Sequence, residues 1–181
     1  MTHRPFAAVL LFALAAAASA SAADPENTLY LDLKGGRVTI EMLPDAAPRH
    51  VARVKELARK GFYDGLAFHR VIEGFMAQTG DPRGDGTGGS GVKLRAEFSN
   101  VPHTRGSVSM ARASDPDSAD SQFFIVFADA PHLNGQYTLW GRVVKGMENV
   151  DKIKKGNPAR NGAVSDPDRI LRLRVAADVK E

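Results

Sequence analysis

Between Thr28 and Met42 two runs place an apolar residue at every second position. Leu29, Leu31 and Leu33 fall on one face. Lys34-Gly35-Gly36 interrupts, and then Val38, Ile40 and Met42 alternate against Arg37, Thr39 and Glu41. Period two is the signature of a half-buried strand, and the glycine pair marks a β-hairpin turn. A chain that begins this way must bury one face of a sheet, and the rest of it repeats the demand. Residues 66–78 read as two short strands broken at Glu73-Gly74, and 107–111, 138–144 and 170–176 read as further strands. Residues 122–127 read as a strand that is continuously apolar after Gln122, which predicts burial on both faces. Two segments change period. In 48–60, Val51, Val54, Leu57 and Ala58 line one face of a helix that Pro48 opens and Gly61 closes, and Glu56 faces Lys60. In 146–156, Met147, Val150 and Ile153 recur at helical spacing, with Lys154 and Lys155 near the end. Residues 80–92 carry six glycines in thirteen positions and read as a loop. The count is about eight strands and two amphipathic helices. Many short strands with glycine turns point to a barrel or a sandwich, and periodicity alone does not choose between them.

Composition narrows the chemistry. The 181 residues contain no cysteine, which excludes disulfides, cysteine-ligated metals and a thiol nucleophile. The net charge of +3 is too small for a nucleic-acid footprint. A hydrophobic content of 43% suffices for one folded domain and argues against disorder.

Residues 1–22 read as a secretory signal peptide. His3 and Arg4 precede an uncharged apolar run from Phe6, and Ala20-Ser21-Ala22 offers a cleavage site, with Ala23 nearly as good. A retained membrane span is the alternative, but so alanine-rich a run inserts weakly. A lipid anchor would need a cysteine. The expectation is an exported domain, residues 23–181, in a bacterial periplasm, with no stable membrane anchor.

Several motifs fail on inspection. Gly84-Asp85-Gly86-Thr87-Gly88-Gly89 resembles a phosphate loop, yet no Lys-Ser/Thr pair closes it and no helix follows. Arg83-Gly84-Asp85 is too short a match to carry meaning. His50, His69, His103 and His132 show no metal-ligand spacing, and no Gly-x-Ser-x-Gly turn exists. No cofactor and no metal are expected.

The informative segments are Phe68-His69-Arg70, then Gly74-Phe75-Met76-Ala77-Gln78-Thr79-Gly80-Asp81, Ser109-Met110-Ala111-Arg112-Ala113, Ser121-Gln122-Phe123-Phe124-Ile125, Leu133-Asn134-Gly135 and Trp140-Gly141-Arg142-Val143-Val144. In this order they resemble the cyclophilin-type peptidyl-prolyl cis-trans isomerases, from about residue 28 to 175. The resemblance implies a mainly β fold, an eight-stranded antiparallel closed barrel capped by two α-helices, with the site on its outer face. It implies that Arg70 is catalytic. It implies a proline pocket of Phe75, Met76, Phe124 and Leu133. Gln78 and Gln122 would hold substrate backbone or orient the arginine. Ala111, Arg112 and Ala113 would form the strand along which the peptide before the proline lies, through the Arg112 main chain, its side chain less constrained. Tyr137 stands where many members carry histidine. His132 stands where many carry tryptophan, which predicts weak cyclosporin binding. His69 is expected to be packed and hydrogen-bonded, and Glu73 to be a solvated turn residue.

These residue types suit the reaction. Amide resonance sets a rotation barrier of about 18–20 kcal/mol. No bond breaks, so neither nucleophile nor metal is needed. A catalyst must favour the twisted amide, whose nitrogen regains a lone pair, and a guanidinium is a permanently charged, rigid donor for it. The expected partners are proline-containing, unfolded or partly folded polypeptides, met by a monomer. The alternative is a binding module or chaperone of the same fold with incidental catalysis, to be told apart by substrate range.

Overall fold

The computed structural model describes residues 24–180; the leader expected at 1–22 lies outside them. Eight strands form one antiparallel sheet: β1 Thr28–Leu33, β2 Gly36–Met42, β3 Arg70–Ile72, β4 Met76–Thr79, β5 Ser107–Met110, β6 Phe123–Val126, β7 Leu139–Lys145 and β8 Arg172–Val175. Their spatial order is β3-β4-β6-β5-β7-β2-β1-β8. The opening hairpin pairs Leu33 with Gly36 and Thr28 with Glu41, as the alternation requires.

The sheet curls into a half-barrel and stays open between its end strands, β3 and β8. This corrects the expectation of a closed barrel. Only isolated bridges, Ala67 with Arg169 and Arg70 with Ala163, cross near the seam. Single bonds such as Phe68 N–H to the Asp168 carbonyl, 2.9 Å, complete it. The reason is local. Strand β3 is three residues long, and a tight turn through Asn161 and Gly162 occupies its outer edge. Residues 66–69, expected in a strand, approach it as irregular chain.

Helix α1, Pro48–Arg59, buries His50, Val51, Val54, Leu57 and Ala58. Its first turn has no side-chain cap of its own. Glu97, far along the chain, accepts from the N–H groups of Arg49 and His50 at 3.1 Å and lies 2.7 Å from His50 Nδ1. Helix α2 is shorter than its apolar spacing predicts. It spans Met147–Asp151 and ends at Lys152. Ile153 is buried all the same, so the apolar repeat outlasts the helix. Beyond that point the Lys154 N–H donates to Asp168, and the Lys155 ammonium sits 4.6 Å above the Phe127 ring.

Two apolar clusters lie on the two faces of the sheet. The inner one gathers Leu29, Ile40, Val54, Phe68, Phe123 and Trp140, among others. The outer one comprises Met76, Phe124, Val126, Ala130 and Leu133, with Ile72, Phe75, Ala111 and Tyr137 packed against it. Strand β6 serves both. Phe123 and Ile125 point inward and Phe124 and Val126 outward, which is why its sequence shows no polar alternation.

Candidate active site

The outer cluster forms the apolar end of a groove of about 710 Å³. Strand pleating delivers its residues. Arg70 on β3 stands opposite Gln78 on β4, and Gln78 stands opposite Phe124 on β6. All three share the outer face, with Met76 two residues before Gln78. Phe75 comes from the β3–β4 turn. Leu133 comes from a 3-10 turn at Pro131–Leu133. Tyr137 meets the Phe124 ring edge-on at 5.7 Å. The floor is apolar: Met76, Phe124 and Leu133 are all buried.

Arg70 is held from two sides. Its Nε donates to the Asn161 carbonyl and its Nη2 to Asn161 Oδ1, both at 3.0 Å. Its Nη1 donates to Gln78 Oε1 at 3.0 Å and lies 4.0 Å from the Met76 sulfur. Every acceptor is neutral. Burial pulls the guanidinium pKa down from its ordinary value, but an arginine starts so high that it keeps its charge.

A second chain of bonds runs back from Gln78. Its Nε2 donates to Gln122 Oε1 at 2.9 Å, and Gln122 Nε2 donates to the Gly86 and Gly88 carbonyls at 3.0 and 2.8 Å. Those carbonyls belong to the glycine-rich loop, and Asp81 shapes that loop. Its carboxylate accepts from the N–H groups of Arg83, Asp85 and Gly86 at 2.8, 3.1 and 2.6 Å. Burial opposes the Asp81 charge, but these donors outweigh it and hold the acid below the ordinary carboxylate range. A Cβ on Gly88 would stand 2.1 Å from Asp81 Oδ1, so the glycine is sterically required there.

On the opposite wall, Ala111 donates its N–H to the Gln122 carbonyl, 2.9 Å, and Ala113 donates to Ser118 Oγ, 2.9 Å. The Arg112 main chain bonds no other group among the described residues, so it is open to a peptide. The Arg112 side chain is more constrained than the sequence suggests. It donates to the carbonyls of Ala113 and Gln136 at 2.9 and 3.0 Å, and its guanidinium lies 4.6 Å over the Tyr137 ring. His132 stands at the rim, its ring 5.4 Å from that of Phe75. Glu73 is an exposed turn residue. His69 is buried and packed, as expected; its ring makes no hydrogen bond of good geometry among the described residues, although the Ala67 main chain is near enough to act on its pKa. Burial depresses its pKa, keeping it neutral.

Asn161 and Asp81 escaped assignment to the site. Asn161-Gly162 is a turn-forming pair, but nothing local reveals a partner 91 residues away.

The whole of this sheet and groove falls within one family description. Residues 28–175 match the sequence model of the cyclophilin type peptidyl-prolyl cis-trans isomerases. The chain belongs to the cyclophilin family. It is an enzyme, a peptidyl-prolyl cis-trans isomerase. A probable peptidyl-prolyl cis-trans isomerase of Brucella suis is 55% identical over 186 residues, covering 96% of this chain and 95% of the relative. A crystal structure of a cyclophilin from Hirschia baltica superposes with a TM-score of 0.77 at 27% identity, covering 87% of this chain and 76% of the other. A cyclophilin from Cryptosporidium parvum, crystallised in the presence of the dipeptide Ala-Pro, gives 0.74 at 28% identity, covering 82% of this chain and 98% of the other.

Proposed function

We propose that this cyclophilin accelerates Xaa-Pro rotation by aiming Arg70 at the proline nitrogen as the amide twists. The observation that carries this reading is the clamped Arg70 beside an apolar floor. The pyrrolidine ring would rest on Phe75, Met76, Phe124 and Leu133, and the residues before it would pair with the Arg112 main chain. The Ala-Pro dipeptide used with the Cryptosporidium relative supports a proline ligand. In the planar amide the nitrogen lone pair is delocalised and accepts poorly. In the twisted amide it is localised, so a fixed N–H binds the transition state better than either ground state. At about 1.36 kcal/mol per decade, a ten-thousand-fold acceleration requires roughly 5–6 kcal/mol of differential binding. One donor does not supply that; ring anchoring and exclusion of water contribute the remainder.

The test is cis-trans exchange on an Ala-Pro peptide by NMR, with the wild-type chain and Arg70→Ala. Fast exchange with wild type and a loss of about 10²–10³-fold in the folded variant are expected, the size seen when one preorganised donor is removed. Exchange surviving in Arg70→Ala overturns the mechanism. A wild-type chain without acceleration on any short Xaa-Pro peptide favours a dedicated binding module.

Residues 1–22 support an exported destination, with proline-containing segments of folding chains as clients and a monomeric enzyme. Fractionation of the producing cell and N-terminal sequencing check this; a mature chain starting at Ala23 or Asp24 is expected. His132 offers less apolar area than the tryptophan common there, so cyclosporin should inhibit weakly. Tight stoichiometric inhibition would refute that.

A further inference from the structure

We propose that Asn161 is a positioning residue for catalysis, orienting Arg70 without neutralising it. The inference rests on Arg70 being the donor to the twisted amide. Its observation is separate: the Nε and Nη2 edge of the guanidinium is held by one residue, through its main-chain carbonyl and its side-chain Oδ1, each at 3.0 Å. Asn161 presents both oxygens to that edge from a left-handed backbone, with φ 52° and ψ 36°. Asparagine is among the few residues with a side chain that adopt the left-handed region readily.

The turn that carries Asn161 is pinned to the catalytic strand. Asn157 caps it, accepting from the Ala159 N–H at 2.9 Å, and the Asn157 carbonyl accepts from Gly162 N–H at 2.9 Å. The Val71 N–H donates to the Gly162 carbonyl at 2.8 Å, and Gly156 N–H returns to the Val71 carbonyl at 2.9 Å. A Cβ on Gly162 would stand 2.6 Å from Ile72, so the turn sits flush against β3. Asn161 is therefore fixed to the strand that bears Arg70.

Its neutrality matters as much as its place. Three of the five guanidinium N–H groups are committed to Asn161 and Gln78, and the Met76 sulfur is a weak acceptor that a substrate can displace. A carboxylate at the Asn161 position would accept the same two bonds, but its charge would offset the field that Arg70 presents to the proline nitrogen. An amide sets direction and leaves the charge unspent.

Three variants separate these ideas. Asn161→Gly keeps the left-handed backbone and the carbonyl but loses Oδ1. Asn161→Asp keeps the geometry and adds a negative charge. Asn161→Ala loses Oδ1 and disfavours the backbone. With an Ala-Pro peptide, about a threefold fall in kcat is expected for the glycine variant and tenfold or more for the aspartate variant. Asn161 lines the same groove, but the bonds lost are made to Arg70 and not to the proline floor, so KM should stay within twofold. The alanine variant should fall below the glycine variant. A readout on the wild-type chain needs no variant: the Arg70 Nε–H, observed by NMR, should exchange with water far more slowly than that of exposed Arg172. Asn161→Gly and Asn161→Asp both within twofold of wild type in kcat would overturn the proposal. So would losses confined to KM, or an Arg70 Nε–H that exchanges as fast as that of Arg172. Arg70→Ala, run alongside, distinguishes failure of this inference from failure of the mechanism beneath it.

Discussion

Single residues divide here between those that make contact and those that hold others still. Arg112 does both, with its main chain open to a peptide and its side chain bracing Gln136 and Tyr137. Arg112→Ala should therefore raise KM several-fold and leave thermal stability nearly unchanged, measured by peptide titration and by melting. No proton moves in the reaction and Arg70 does not titrate, so the isomerisation rate should be flat between about pH 6.5 and 9 while the chain stays folded. A bell-shaped profile would indicate acid–base participation by a neighbour such as His69. The candidate site residues were legible only through the family resemblance; what puts Arg70, Gln78 and Phe124 on one face is cross-strand register, which no single segment of the sequence shows. Asn161 was not, because its partner is a guanidinium 91 residues away and no local pattern encodes such a meeting. Asp81 was not for a different reason: its own bonds are local, to the N–H groups of Arg83, Asp85 and Gly86, and only the folded loop links them to Gln122.

Strand β6 separates stability from binding within one element. Phe123 is buried in the inner cluster against Tyr63 and Trp140, at 5.5 Å from each ring. Phe123→Ala should cost about 3–5 kcal/mol, read as a lowered urea midpoint. Phe124→Leu replaces a ring by a smaller apolar group on the groove floor; about 1.5 kcal/mol or less is expected in stability, with a clear loss of proline affinity. Helix α1 carries a comparable division. Its apolar stripe is visible in the sequence, whereas its N-terminal clamp is the distant Glu97. Glu97→Ala should lower stability by about 1–2 kcal/mol, the usual cost of losing a cap. The sequence overextends α2 because Met147, Val150 and Ile153 keep helical spacing after the helix has ended. Burial requires only that Ile153 reach the core, not that it do so from a helix.

Across the whole molecule, acid should weaken the fold in two stages. Burial depresses the pKa of His69 and His103, so the unfolded chain binds more protons between the ordinary and lowered values. Their contribution is complete above about pH 6.5 and is lost as pH falls through the lowered values. Asp64 is held low by Arg174, and Glu97 and Asp81 are held low by their donors against burial. Their contribution is complete above about pH 5, beyond the ordinary carboxylate values, and is lost progressively as pH falls through the lowered ones. Urea midpoints measured from pH 8 to 3 should show both declines. The eightfold strand count was legible from periodicity. Closure was inferred from family likeness, and the three-residue β3 with a turn on its edge prevents it. That open seam has a consequence for change over generations. A strand with neighbours on both sides cannot be altered without disturbing two ladders, but β3, which bears Arg70, has a ladder on one side only. The 157–164 turn beside Arg70 can therefore be lengthened, shortened or exchanged while the rest of the sheet keeps its register. The scaffold and the setting of Arg70 can diverge at separate rates.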